Sequence, residues 1–232
     1  GLYALGNSPA QIEQKFHGRA DRDFLERVFQ KLLINFTWWV NRKDSEGNNI
    51  FEGGFLGLDN ISVFDRTSGL PAGGRLEQAD GTSWMGAYCL NMLGIALELA
   101  KQDSVYEDVA TKFFQHFVYI GEAVNRVGAG ADGLWDETAG YYFDVLRLPD
   151  GRCCAMKATT IAGLIPLFAI AVADRQALSG FKEFDSRYRW FAENRPDLLG
   201  HLADIRHIGV HDRVRMALVD SHKLTRLLAH AL

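Results

Sequence analysis

The chain has 232 residues, 47% of them hydrophobic and 23% charged, a composition that excludes general disorder and can bury a substantial core in one large domain or two small ones. A formal net charge of -4 and a sequence pI near 6.0 give no electrostatic basis for binding nucleic acid or an anionic membrane surface. Cys89, Cys153 and Cys154 lack metal-ligand spacing and two of them are adjacent, which predicts reduced thiols and a cytoplasmic protein.

In chain order, Ser8, Pro9 and Gln11 predict a short helix to about Phe16, with Pro at its first position. Asp21 opens a stronger one, in which Leu25, Val28, Phe29, Leu32, Phe36, Trp39 and Val40 recur at helical spacing, and the polar run 41–49 stops it. The stretch from Phe51 to Arg66, FEGGFLGLDNISVFDR, has too many glycines for a regular element and too many large apolar residues for a solvated linker. It reads as a loop that lines a cleft. A second glycine-rich connection, Thr67 to Gly81, carries Glu77 and Asp80.

Thr82 to Ala100 is apolar nearly all round, the pattern of an inner helix. Ser104 and Glu107 form a capping box for a helix that runs to about Asn125. The third loop region, Gly128 to Asp150, is expected to hold a short β-hairpin around Tyr141 to Leu148. Helices are predicted at Thr159 to Ala173, broken near Pro166, and at Phe181 to Glu193, where Pro196 ends the run. His201 to Arg215 reads as irregular and polar, and a last helix is capped by Asp220 or Ser221. Asn91, Glu98 and Pro166 argue against membrane spans, no signal peptide opens the sequence, and the absence of Met at its start suggests a piece of a longer protein.

About six substantial helices, alternately apolar all round and amphipathic, predict an all-α fold, a two-layered helical toroid of which this chain supplies about half. The three loop regions hold Glu52, Asp59, Asp65, Glu77, Asp80, Asp132, Asp136, Glu137 and Asp144, interleaved with Phe64, Trp84, Trp135, Tyr141 and Tyr142. Carboxylates accept hydrogen bonds from sugar hydroxyls while aromatic faces cover the C–H faces of pyranose rings, so the mixture suits a carbohydrate site. Acids also cap helices and aromatics also fill cores, which is the commoner role for any one of them. Glycoside hydrolysis needs two carboxyl groups, and the proton donor must be desolvated to stay protonated. Asp59 fits that requirement best, whereas Asp65 is followed by Arg66 and reads as an ion pair.

Other chemistries are less well supported. His207 and His211 have i, i+4 spacing without a third ligand, and Asp44, Glu46 and Asn48 are out of register with a calcium loop. No phosphate-binding loop, dinucleotide fingerprint or GxSxG elbow is present.

The segments FEGGFLGLDNISVFDR, GLPAGGRLEQADGTSWMGAYCLNMLGIALELA and GLWDETAGYYFDVL resemble the bacterial branch of glycoside hydrolase family 63, which includes processing mannosyl-oligosaccharide glucosidases. The resemblance runs from about Phe29 to Pro166. It implies that residues 1–232 are a partial (α/α)6 glycosidase catalytic domain, with inversion of configuration, an oligosaccharide substrate and no cofactor. By motif, Asp59 would be the general acid, and Asn60, Asp65, Arg66, Glu77, Asp80 and Trp84 would line or brace the sugar subsite, with Trp135 and Asp136 as further candidates. The family's general base, a downstream Glu, has no counterpart here, so a missing C-terminal half or self-association is expected. Two rival readings are a noncatalytic carbohydrate-binding or assembly module, and a sugar epimerase or isomerase relying on His116 and His201.

Overall fold

The computed structural model describes residues 21–41, 50–51, 70, 73–126, 133–200, 202 and 208–231. The helix expected between Ser8 and Phe16 lies outside them. Helix α1 (Arg22–Val40) begins where Asp21 predicts, the Asp21 carboxylate accepting a hydrogen bond from the Phe24 amide at 2.8 Å. Its buried face is narrow. Phe29 meets Tyr106 and Phe113 edge-on at 5.7 and 6.2 Å, and Phe36 stacks on Tyr88 at 5.7 Å.

The connection then leads through strand β1 (Arg75–Glu77) into helix α2 (Ala79–Ala100), which pairs with helix α3 (Val105–Asn125) as the centre of the molecule. Helix α2 is the inner helix its sequence predicts, with Met85, Cys89, Met92, Leu93, Ala96 and Leu99 all buried. It starts three residues before the expected Thr82, because the Ala79 amide donates to the Asp144 carboxylate at 2.9 Å and so gains the partner that Gln78 does not supply. Tight contacts show what surrounds it. A Cβ at Gly86 would lie 3.0 Å from Leu218 Cδ1 and 3.5 Å from both Ala169 Cβ and Ile120 Cγ2.

The all-α toroid is not what covers this helix. Among the described residues there are eight strands in three antiparallel sheets, and the fold is mixed α and β. Strands β2 (Trp135–Asp136) and β3 (Tyr141–Tyr142) form a two-stranded ribbon, and strand β4 (Asp144–Arg147) lies between β1 and strand β5 (Cys153–Met156). The single hairpin expected around Tyr141 to Leu148 is therefore divided between two sheets. The segment Ile161–Phe168 is a 3₁₀ helix containing Pro166, and the chain then extends as strand β6 (Ile170–Asp174) instead of continuing as a helix. Pro166 lacks the N–H that a continued α-helix needs, and β-branched Ile170 and Val172 alternate with alanine as a strand requires.

A short helix α4 (Arg175–Ser179) leads to helix α5 (Lys182–Asn194) and helix α6 (Pro196–Leu199). Phe184, Tyr188 and Phe191 of α5 surround Phe114 of α3 with centroids 5.5 to 5.8 Å away. The stretch expected to be irregular contains strands β7 (Ile208–Gly209) and β8 (Arg213–Ala217), with β8 central in the order β6-β8-β7. The turn between them holds His211 and Asp212 at φ 60° and 55°, a left-handed conformation that Asp and His tolerate better than branched residues. Helix α7 (Ser221–Ala231) begins at Asp220, whose carboxylate accepts from the Lys223 amide at 2.8 Å. No described helix is long and apolar enough to cross a membrane.

The expected capping box at Ser104 is rearranged. Ser104 makes no side-chain cap, Asp103 accepts from the Val105 amide at 3.1 Å, and Glu107 reaches across to the start of α5. One Glu107 oxygen accepts from the Glu183 and Phe184 amides at 2.8 and 3.3 Å, so a carboxylate on α3 caps the neighbouring helix. Glu107→Ala should lower stability by about 1–2 kcal/mol through the loss of these buried acceptors. Thermal denaturation followed by circular dichroism checks this, and an unchanged Tm would contradict it.

Candidate functional site

The start of α2 is where Glu77, Asp80 and Trp84 come closest in the chain, with Asp80 in the first turn itself. Asp80 is fully buried there and accepts from the Gly81 amide at 2.7 Å. Thr82 and Ser83 return their hydroxyls to the carbonyls of Gln78 and Ala79, each at 2.6 Å. The entry to the Phe51–Arg66 stretch is tied to the same turn, since the Phe51 amide donates to Thr82 Oγ1 at 3.1 Å and the Gln78 amide donates to the Phe51 carbonyl at 3.4 Å. Asp59, Asn60, Asp65 and Arg66 lie outside the described residues.

Glu77, one residue before this turn, is not presented to a ligand. It is 2% exposed, and the Arg147 guanidinium grips both its oxygens, with Nε at 2.8 Å and Nη2 at 3.4 Å. A bidentate pair between β1 and β4 is a strut, and it aligns the sheet that carries Asp144. Next to Asp144 a cavity of about 10 Å³, lined also by Met156, Thr160 and Gly163, has room for one water.

Trp84 is the candidate that faces outward. It sits one helical turn beyond Asp80, is 36% exposed, and stacks in parallel on Phe168 at 5.7 Å with 6° between the rings. Phe168 is 57% exposed, so the two rings form an open aromatic platform at the end of the 3₁₀ helix. Sequence reasoning missed Phe168, which it placed just past the expected break at Pro166 in a helical run to Ala173, and Asp144, which it counted among the loop acids but did not assign. The sequence places Asp80 in the connection before the helix, so neither its i, i+4 relation to Trp84 nor the pairing of Trp84 with a residue 84 positions away is legible there.

Trp135 and Asp136 lie apart from this turn, in the β2–β3 ribbon, and are structural. The Trp135 indole is 6% exposed, packs edge-on to Tyr142 at 4.8 Å and donates Nε1–H to Glu137 at 2.5 Å. Glu137 also accepts from Arg226 of α7 at 2.7 Å, and the Lys223 and Arg226 cations both sit 5.8 Å from the Trp135 ring. Asp136 pairs with Lys157 at 2.6 Å and accepts from the Ala139 amide at 2.9 Å. Below them the Tyr142 hydroxyl donates to Asn125 Oδ1 at 2.6 Å, while Asn125 Nδ2 donates to the Leu218 carbonyl at 2.8 Å. Burial pushes the Tyr142 phenol well above its ordinary range, and the Asp220 charge adds to this.

His116 packs edge-on against Phe36 at 5.4 Å, and His201 and His207 lie outside the described residues, as do Asp44, Glu46 and Asn48. Among the described residues no group of three or more His, Cys, Asp or Glu side chains could hold a metal ion. A separate cleft of about 240 Å³ lies between α5 and the β7–β8 hairpin, lined by Arg175, Phe184, Asp185, Tyr188, Arg189 and Val214, and contains none of the expected site residues.

No protein-family model and no solved structure matches the chain. It is 45% identical over 234 residues to uncharacterized protein YMR196W of Saccharomyces cerevisiae, an alignment that takes in 96% of this chain and 21% of that protein. The chain thus spans about a fifth of the length of the curated relative it matches.

Two carboxylates give the fold an acid-sensitive edge. The Lys157 ammonium and then the Ala139 amide hold the Asp136 carboxyl below its usual range. Burial raises that of Asp220, but the Lys223 amide and ammonium outweigh it and lower it overall. A carboxyl lowered on folding stabilises the chain above its unfolded value of about 3.9 and loses that contribution as pH falls through the folded value. Stability should therefore be level near neutrality and decline below about pH 4. Asp136→Asn should lower Tm at neutral pH and flatten the acid limb, as read from melting curves at stepped pH; an acid limb as steep as wild type would contradict it.

Proposed function

We propose that this chain is part of a glycoside hydrolase that acts on α-glucosides or oligosaccharides by inverting hydrolysis. Asp59 protonates the leaving oxygen, water attacks the anomeric carbon, and the general base comes from outside the residues identified here. The observation that carries the reading is the open Trp84–Phe168 stack, one turn beyond buried Asp80 on the helix start to which Phe51, at the head of the stretch that contains Asp59, is hydrogen-bonded. An exposed pair of parallel rings offers an apolar face to a pyranose, and the acid-rich turn beside it matches the motifs that resemble family 63. In the complete site the base carboxyl stands about 6.5–9.5 Å from Asp59, leaving room for the attacking water.

A noncatalytic carbohydrate-binding role is the second reading, and one observation favours it. Glu77 and Glu137, the described glutamates best placed by sequence to act as a base, have both carboxylate oxygens engaged, by Arg147 in one case and by Trp135 and Arg226 in the other. Neither is available to activate water.

Two measurements separate the readings. In the full-length polypeptide, hydrolysis of aryl α-glucosides and glucose oligosaccharides should fall about 10²–10⁴-fold in Asp59→Asn, the loss of a general acid. Calorimetric affinity for the oligosaccharide should persist in that variant and weaken roughly tenfold in Trp84→Ala, the worth of one aromatic stack. Wild-type turnover by Asp59→Asn would remove the assignment of the acid. Binding without any turnover by the unaltered protein would select the noncatalytic role. The 232-residue chain alone should bind without turnover, and robust hydrolysis by it would show that it holds its own base.

A further inference from the structure

We infer that strand β6 is an interface, pairing antiparallel with β6 of a second copy of this chain about a two-fold axis through Ala171. Among the described residues β6 is the outer strand of its sheet, hydrogen-bonded on one side only to β8. The phase of that ladder is fixed at both ends. The Leu218 amide donates to the Ala169 carbonyl at 3.1 Å, and the Arg175 amide donates to the Asp212 carbonyl at 3.0 Å. Residues 169, 171, 173 and 175 therefore turn their backbone groups towards β8, and Ile170 and Val172 turn theirs away. No hydrogen bond among the described residues takes up those outward groups.

The side chains at the same two positions are also uncovered, Ile170 at 51% and Val172 at 57% exposure. Edge strands are ordinarily protected by a lysine, a proline, a bulge or brevity. Strand β6 has none of these. It is five residues long, reads Ile-Ala-Val-Ala-Asp, and pairs with β8 at every position without a bulge. Its one charge, Asp174, is at the end and its carboxylate accepts from the Ala177 amide at 3.0 Å to cap the next helix. The other outer strand, β7, has two residues and includes Gly209.

A second copy fits this edge because the edge is self-complementary. With Ala171 on the axis, Ile170 of each copy lies opposite Val172 of the other, and both pairs are hydrogen-bonded pairs of the new ladder. Each exposed β-branched side chain then meets a β-branched neighbour on the same face, and two small Ala171 side chains occupy the close, non-bonded position on the axis. One patch satisfying itself in this way is the condition for a closed two-fold dimer. A partner strand of unrelated sequence would not need that symmetry. Phe168 of the proposed sugar site lies two residues before Ile170, but the inference rests on the ladder and exposure of strand β6 and not on that site.

Light scattering and sedimentation velocity on the 232-residue chain should show a concentration-dependent mass approaching twice 25.9 kDa. Val172→Lys, a charge on an exposed edge position, should weaken association at least tenfold while circular dichroism and Tm match wild type. Val172→Thr, which keeps the β-branch, should still dimerise. A wild-type chain that stays monomeric across micromolar concentrations, leaving the edge to a strand of another polypeptide, would overturn the inference. So would a Val172→Lys variant that folds and self-associates as wild type does.

Discussion

An α-helix that is apolar on every side must be covered on every side, and the architecture follows from meeting that demand for α2. Helices α1 and α3 supply cover from one direction. The 3₁₀ segment and the start of β6 supply it from another, where Ala169 and Leu218 close over Gly86. The hydrophobic requirement is indifferent to the kind of element that satisfies it, because burial scales with apolar area removed from water. A 3₁₀ turn followed by a strand serves where another helix was expected. This is why a sequence with six helical patterns does not build only with helices.

Packing the elements around α2 leaves buried backbone groups at helix starts and strand ends that need partners, and the fold meets this need with side chains from distant positions. Asp144 is 65 residues from Ala79, Glu107 is 76 residues from Glu183, and Asn125 is 93 residues from Leu218. Each of these polar side chains is buried and each joins two elements. Several acids that looked available for chemistry are thus anchors for amides or for Arg147. Leaving such an amide without an acceptor in the interior would cost more than the hydrogen bond is worth, so these positions tolerate little change. Close contact adds to the constraint. A Cβ at Gly163 would come within 2.2 Å of Tyr141 Cε1 and 2.4 Å of the Tyr142 carbonyl, so the 3₁₀ segment can lie against β3 only through glycine.

The parts legible in the sequence were those governed by local pattern. Helices α1, α3, α5 and α7 begin and end close to where caps and periodicity place them, and Asp220 caps α7 as expected. What was not legible depends on distant partners. The run Arg213–Ala217 alternates, with Val214 and Met216 buried, yet two arginines in five residues made it look solvated until β6 provided the inner face. The capping box at Ser104 failed because Glu107 found amides in another helix, which no local motif can signal. Of the candidate site, Trp84 is legible as a residue of the inner helix, whereas Asp80 reads as part of the glycine-rich connection and joins the helix only because Asp144 caps it three residues early. Trp135 and Asp136, candidates by motif, are engaged in packing and turn contacts, because the acid and aromatic residues of that segment also suit a clamped β-turn.

The buried anchors and the exposed platform belong to one design, since a platform is useful only if its support is stiff. Trp84 rides on the first full turn of α2, and that turn is held by Asp144 from β4, by Thr82 to Phe51 and by the inner apolar helix beneath it. Strand β4 is itself held in line by the Glu77–Arg147 pair. The chain of contacts therefore runs from a two-oxygen ion pair, through a sheet, to the helix start and then to the indole. Phe51, at the end of that chain, is 2% exposed and hydrogen-bonded through both its amide and its carbonyl to the same helix start. Preorganisation of this kind is what the proposed sugar contact at Trp84 requires, because a ring already held in place loses no freedom on binding.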